Sequence, residues 1–208
     1  MNTKMIVGLG NPINKIHRCG KRINTSQNRH NIGFKIVDAI VSVMNARRLL
    51  LKCSERKLVV NTFRYANNNI VLLKPLDWMN SSGIAVGQAK RALDIKSEDV
   101  IVIYDDMDFD FGTVRVKYNG RSGGHNGIKS VIDHVGKGFS RVRIGIGRPT
   151  EGDPYDYVLS NFTWAEQKYF CELYNLCVSA IKYWVEHGVQ KTMCFFNQKR
   201  KEEDNGKV

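Results

Sequence analysis

The stretch from 100 to 104, Val-Ile-Val-Ile-Tyr, is an unbroken run of apolar residues. A run of this length is typical of a strand that is buried on both faces of a sheet. A second short apolar stretch, Met5–Gly8, ends in the glycine-rich turn GLGNP and also has the pattern of a strand. These two stretches indicate a sheet at the centre of the molecule.

Outward from these strands, the chain alternates between helix and strand patterns. Asn80 and Ser81 are placed to cap one helix, and Thr163 to Glu166 match a capping box that opens a long helix ended by Gly188. Helix patterns cover 32–47, 80–93, 126–135, 163–185 and 189–196, and strand patterns cover 57–64, 70–74, 114–117 and 141–146. We therefore predict an α/β fold, a single globular domain in which a twisted mixed β-sheet is flanked by helices on both faces.

The charge balance favours a polyanionic partner. The 208 residues include 32 Lys and Arg against 20 Asp and Glu, which leaves a formal net charge of +12. Such an excess attracts nucleic acid through counterion release and electrostatic steering. The five cysteines form no CxxC pair, which disfavours a disulfide framework and a zinc site and suits a reducing compartment.

Targeting and membrane signals are weak in this sequence. The apolar run near the N-terminus is far too short for a signal peptide, and no stretch approaches eighteen consecutive apolar residues. We therefore expect a cytoplasmic protein without a membrane span.

A nucleotide cofactor is disfavoured by the glycine-rich turn. Gly8-Leu9-Gly10 begins like a dinucleotide fingerprint, but Pro12 and Ile13 follow where the third glycine is needed. No GKS or GKT sequence is present either. We expect no cofactor, and because no His, Asp or Glu spacing resembles a metal site we expect a reaction without metal.

Several polar residues stand at the ends of the predicted elements. Asn11 follows the first strand, His30 precedes the first helix, Asn80 precedes the second, Asp105 ends the buried strand, and Asn126 begins a further helix. Active residues of α/β folds gather at the carboxyl ends of the strands. We therefore expect these five side chains to converge at one edge of the sheet.

Six motifs in this order resemble those of the bacterial-type peptidyl-tRNA hydrolases. They are VGLGNP at 7–12, RHNIG at 29–33, WMNSSG at 78–83, IYDDMD at 103–108, SGGHNG at 122–127 and RVRIGIGRP at 141–149. The resemblance covers about residues 4–198. It implies a monomeric α/β hydrolase that acts in translation and ribosome rescue by freeing tRNA from prematurely released peptides. Plant organellar splicing factors share this fold, so an RNA-binding splicing or assembly factor is the alternative.

The residues suit hydrolysis of an ester between a peptide and the terminal ribose of tRNA. His30 can act as general base on water, and Asp105 can fix its tautomer and support the imidazolium that forms. Asp106 and Asp108 are rival carboxylates, and only the resemblance selects Asp105. No G-x-S-x-G sequence is present, which favours direct attack by water over a covalent intermediate.

The resemblance also implies the binding residues. Asn11, Asn80 and Asn126 would position the substrate and the water, and Met79 would pack beside the peptide. Lys117 and Arg143 would meet the acceptor end of the tRNA, with the basic patch extended by Arg115, Lys129, Arg141 and Arg148. His125 is interpreted as a residue that serves the structure of the glycine-rich loop.

One segment departs from the family pattern. The step from Asn11 to His30 is longer here, and residues 13–28 form a basic loop that either contacts tRNA or is a tolerated surface insertion. We expect the hydrolase-like domain to span residues 1–198. A charged, disordered tail is expected at 199–208.

Overall fold

The computed structural model describes residues 2–12, 25–51 and 58–205, with side chains to residue 198. Its strands are β1 (Asn2–Gly8), β2 (Arg47–Arg48), β3 (Leu58–Tyr65), β4 (Asn68–Pro75), β5 (Val100–Asp106), β6 (Val114–Tyr118) and β7 (Ser140–Gly145). They form one sheet in the order β2-β3-β4-β1-β5-β7-β6. The four inner strands β4, β1, β5 and β7 are parallel, and the outer strands pair antiparallel, so the prediction of a mixed sheet is confirmed.

Helices cover both faces of this sheet, as predicted. They are α1 (Ile32–Val43), α2 (Ser82–Ala92), α3 (Asn126–Val135), α4 (Pro154–Leu159), α5 (Trp164–Lys168) and α6 (Phe170–Asn205). Successive residues of a strand point to opposite faces, so Ile6 packs with α1 and α6, whereas Met5 and Val7 pack with α2 and α3. Two apolar cores therefore sandwich the sheet, which explains the unbroken apolar run of β5.

Close packing of α1 against the strand ends places the segment before the helix over the sheet edge. A Cβ atom added to Gly33 would lie 2.5 Å from the carbonyl oxygens of Ile103 and Leu9. Only glycine allows this approach of helix backbone to strand backbone. The turn that precedes α1, which carries His30, is thus held directly above the carboxyl end of β5.

Three predicted boundaries were wrong. The first helix ends at Val43 because Asn45 adopts a left-handed conformation with φ of 47°. Asn80 lies inside a 3-10 turn, Met79–Ser81, and the residue before α2, Ser81, makes no side-chain capping bond; in the turn itself the Ser81 N–H bonds the Trp78 carbonyl. The capping box at Thr163 is present, but it opens only the short helix α5 before α6 begins at Phe170.

Gly188 interrupts α6 with φ of 76°, in agreement with the predicted helix end there. Helical backbone then continues to Asn205, beyond the predicted end at Phe196. Residues 13–24 of the predicted basic loop and 206–208 of the predicted tail lie outside the described residues, so both remain predictions. Within the described part of the chain, no helix combines the length and the apolarity needed to cross a bilayer.

Candidate active site

His30 and Asp105 meet at the carboxyl end of β5. His30 lies in the 3-10 turn Arg29–Asn31 before α1, and Asp105 is the next-to-last residue of the buried strand. The Nδ1 atom of His30 lies 2.8 Å from Oδ2 and 2.9 Å from Oδ1 of the carboxylate. Because Nδ1 faces Asp105, Nε2 is the ring nitrogen left for a reacting water.

The rival carboxylates of the same motif are engaged elsewhere. Asp106 Oδ2 accepts a bond of 2.6 Å from Nε of Arg143, and Asp108 pairs with Arg148. Asp108 is also half exposed, whereas Asp105 is 3% exposed. The geometry therefore selects Asp105 as the partner of His30, which the sequence alone left open.

Asp105 is an ionised carboxylate in a buried position. Burial by itself would raise its pKa, but the electrostatic interactions with the His30 and His125 rings and the hydrogen bonds from both rings outweigh this and hold the pKa well below its usual range. The carboxylate thus remains negatively charged at neutral pH, which stabilises a proton on the His30 ring.

His125 is the residue that the sequence interpretation missed. Its Nε2 atom lies 3.1 Å from Oδ1 of Asp105, and its Nδ1 accepts the N–H of Ile128 at the start of α3. Its ring packs tilted against His30, with centroids 4.9 Å apart, and edge-on against Tyr104. The role in loop structure is present as a helix cap, but the contact with Asp105 shows that His125 also belongs to the site.

The three groups His30, Asp105 and His125 offer possible metal-ligand atoms within 4.8 Å of one another. Each of the two ring nitrogens, however, faces an oxygen of the carboxylate at hydrogen-bond distance rather than a common central point. In this arrangement, two imidazole rings are hydrogen-bonded to the same carboxylate. Chemistry without metal remains a prediction.

Asn11 organises the neighbouring part of the site. It is 6% exposed, and its Oδ1 accepts the N–H of Met79 at 2.9 Å. Its backbone N–H donates to Oδ1 of Asn31, whose Nδ2 donates back to the Asn11 carbonyl. Asn11 is thereby tied to the turn that carries His30 and to the turn that carries Asn80.

The other predicted substrate residues differ in accessibility. Met79 is 5% exposed and packs in the core beside α2 and α3, so little of its side chain can reach a peptide. Asn80 and Asn126 are exposed, and Asn126 lines the cleft described next.

A cleft of about 600 Å³ opens beside His30 and Asp105. Lys117 is exposed on its wall, and its contact with a phosphate remains a prediction. Arg143 also lines the cleft, but its guanidinium pairs with Asp106 and stacks 4.6 Å from the ring of Phe109. Of these two predicted phosphate contacts, Lys117 is therefore the more available.

Arg141 corrects the predicted basic patch. It is 1% exposed, and its guanidinium donates to the carbonyls of Arg121 at 2.6 Å and of Gly120 at 2.7 Å. The pattern of β7 could not reveal this, because the acceptors come from a loop about twenty residues earlier in the chain. Arg141 supports the wall of the cleft from within.

Comparison with known proteins shows the family of the chain. Residues 5–204 match the family model described as peptidyl-tRNA hydrolase. The peptidyl-tRNA hydrolase of Geobacillus thermodenitrificans is 45% identical over 166 residues, which cover 79% of this chain and 83% of that protein. That of Fervidobacterium nodosum is 37% identical over 194 residues, which cover 93% and 95% of the two chains.

Solved structures agree as well. A crystal structure of peptidyl-tRNA hydrolase from Acinetobacter baumannii superposes with a TM-score of 0.80 at 29% sequence identity and covers 95% of each chain. The resemblance seen in the six sequence motifs is confirmed by both kinds of comparison. The chain belongs to the peptidyl-tRNA hydrolase family.

Proposed function

We propose that the protein hydrolyses the ester between the carboxyl group of a peptide and a ribose hydroxyl of the terminal adenosine of tRNA. The observation that carries this proposal is the contact of 2.8 Å between Nδ1 of His30 and a buried, ionised Asp105 beside an open basic cleft. A histidine held in this way is suited to take a proton from water.

The reaction follows from that geometry. Nε2 of His30 removes a proton from a water molecule as the water oxygen attacks the ester carbonyl. Asp105 stabilises the imidazolium, which then gives its proton to the departing ribose oxygen as the carbon–oxygen bond breaks. The products are a free peptide carboxyl and a tRNA with its ribose hydroxyl restored. General-base assistance of this kind contributes about a hundred- to ten-thousand-fold in rate.

Direct attack by water is supported by the surroundings of His30. The described cysteines, Cys171, Cys177 and Cys194, are not among the residues that line the cleft. Cys177 is fully buried, and burial raises the pKa of its thiol far above neutrality. Activation of one of these described cysteines by His30 is therefore disfavoured.

Substrate binding uses both the amides and the basic wall. Asn11, Asn80 and Asn126 carry amides that can donate and accept, which suits a carbonyl, a ribose hydroxyl and a water. Lys117, with a smaller share from Arg143, would contact phosphates near the acceptor end. We expect the enzyme to work as a monomer in the cytoplasm, without an obligate protein partner.

Release of labelled N-acetyl-aminoacyl residues from tRNA tests this function. The purified chain should cleave the ester catalytically, and protein quenched in acid during turnover should carry no acyl adduct by mass spectrometry. Tight RNA binding without cleavage would instead identify an RNA-binding splicing or assembly factor. An acyl adduct on the protein would overturn direct attack by water.

A further inference from the structure

His125 makes two hydrogen bonds through two different ring nitrogens. Nδ1 lies 3.1 Å from the backbone nitrogen of Ile128, and Nε2 lies 3.1 Å from Oδ1 of Asp105. The ring is largely buried, with about a tenth of its side chain exposed. Both bonds are therefore shielded from bulk water.

These two bonds determine where the proton of His125 lies. A backbone N–H can only donate, so Nδ1 of His125 must accept and carries no proton. Asp105 is ionised and can only accept, so the single ring proton lies on Nε2. The N–H of Ile128, in the first turn of α3, points toward Nδ1, and the positive end of the helix adds an electrostatic cost to a second proton at this position.

The groups around the ring reinforce this assignment. From β5, Tyr104 and the carboxylate of Asp105 contact the ring, and the turn before α1 contributes His30; Asp106 lines the same cleft. From β7, the Arg143 guanidinium neutralises Asp106, and the Arg141 guanidinium is bonded to loop carbonyls. Lys117 and Arg121 line the same cleft as His125. Asp105 is the carboxylate in direct contact with the ring.

We propose that His125 is a positioning residue that donates its Nε2 proton to Asp105 and so governs how strongly that carboxylate holds the proton of His30. Oδ1 of Asp105 lies within hydrogen-bond distance of both rings, whereas Oδ2 faces only His30 among the described residues. The hydrogen bond donated by His125 restricts rotation of the Asp105 carboxylate and stabilises part of its negative charge. Asp105 therefore holds the proton of His30 less strongly than a carboxylate bound to His30 alone would.

This inference rests on the proposed function, and two variants separate its two parts. In His125→Asn the side-chain oxygen replaces Nδ1, so the cap of α3 is kept while the donor to Asp105 is lost. In His125→Gln the amide nitrogen replaces Nε2, so the donor is kept while the cap is lost. His125→Asn thus keeps only the structural role, and His125→Gln keeps only the positioning role.

The pH dependence of kcat/KM provides the readout. The acid limb, where the base becomes protonated, should move upward by about half a pH unit or more in His125→Asn. In His125→Gln it should stay near that of the wild type, although this variant should have the lower Tm because it lacks the cap. A purely structural residue would give the reverse result, with an unmoved limb in His125→Asn, and that outcome would overturn the proposal.

Nitrogen-15 spectra of the imidazoles in the wild-type protein test the tautomer without reference to activity. Nδ1 of His125 should appear unprotonated and Nε2 protonated throughout the pH range of activity. A proton on Nδ1 would overturn the inference even if a variant failed to fold. Failure of the wild type to cleave its substrate would instead concern the proposed function, so the two failures are distinguishable.

Discussion

Among the single side chains of the site, Asp105 is the one on which the others depend most. It is buried at the end of β5, and three close contacts join its two oxygens to the rings of His30 and His125. A carboxylate can accept several hydrogen bonds at once, whereas an amide offers only one accepting oxygen. The charge and the two accepting oxygens are both required at this position.

Substitution of Asp105→Asn should therefore lower kcat by about a hundred- to ten-thousand-fold. The amide nitrogen would face one of the two ring N–H groups, and the support for the His30 imidazolium would be lost. Single-turnover cleavage measures this effect. Asp108→Asn, which alters an exposed carboxylate of the same motif, should lower kcat far less, and an equal loss in both variants would contradict the assignment.

Strand ends and ordered motifs mark His30, Asp105 and Asn11 as candidates in the sequence, but only the resemblance selected Asp105 over Asp106 and Asp108. The contact of His125 with Asp105 was missed because it joins a strand end to a loop twenty positions later. The engagement of Arg143 by Asp106 was missed for the same reason. Pairing across neighbouring strands depends on register, which the local pattern of β7 does not reveal.

Among the secondary-structure elements, the turn that carries His30 is connected by Arg29 to the segment beside the cleft. Its guanidinium forms two bonds with Glu166, of 2.7 Å and 2.9 Å, and stacks on the rings of Tyr157 and Phe162. Its backbone N–H donates to the Ser160 carbonyl. One buried cation therefore joins the His30 turn to α4 and α5.

Arg29→Lys should destabilise the protein and reduce kcat, because an ammonium cannot form the paired bonds or the planar stacking. We expect a loss of about 1–3 kcal/mol in the free energy of unfolding, since a buried pair is weakened rather than removed. Denaturant unfolding checks the first effect. Arg148→Lys, at an exposed pair, should change stability by less than about 0.5 kcal/mol. Similar values for the two variants would contradict the role of Arg29.

The crossing of α2 and α3 gives a second test at this scale. A Cβ atom on Gly83 would lie 1.9 Å from the Ser130 carbonyl oxygen, whereas one on Gly87 would find its nearest neighbour at 3.4 Å. Gly83→Ala should therefore cost about 1–3 kcal/mol or more by overpacking. Gly87→Ala, in the same helix, should stabilise by up to about 1 kcal/mol. Thermal unfolding of both variants measures these changes in stability. An unchanged stability in Gly83→Ala would show that α2 and α3 can move apart without cost.

Capping and helix boundaries were predicted with mixed success for a physical reason. The capping box at Thr163 depends on four consecutive residues, so the sequence contains it completely. The end of α1 depends on a left-handed backbone at Asn45, which an asparagine permits but does not require. Local interactions were therefore predictable, and choices made by tertiary packing were not.

The whole molecule carries a net charge of +12, and its cleft concentrates part of that charge beside the reacting groups. The overall architecture was predictable because the apolar run of β5 and the alternation of elements leave few arrangements. The wall of the cleft was not, because the charged residues that line it come from widely separated segments. Their pairing with carboxylates decides which of them can meet a phosphate.

Lys117→Ala should weaken tRNA binding and reduce the slope of log K against log salt by about one. Lys117 is exposed on the cleft wall, where neutralising one phosphate releases one counterion. Fluorescence binding at several salt concentrations measures the slope. Lys182→Ala, a lysine that lies against Tyr65 outside the cleft, should leave the slope unchanged. Equal slopes for Lys117→Ala and the wild type would refute the phosphate contact.

Hydrolysis of N-acetyl-aminoacyl-tRNA by His30→Ala, measured together with tRNA binding, tests most directly whether His30 is the general base. Cleavage should be lost while the affinity for tRNA stays close to that of the wild type, since His30 acts on water and not on the RNA backbone. Cleavage at the normal rate by His30→Ala would show that His30 is not the base.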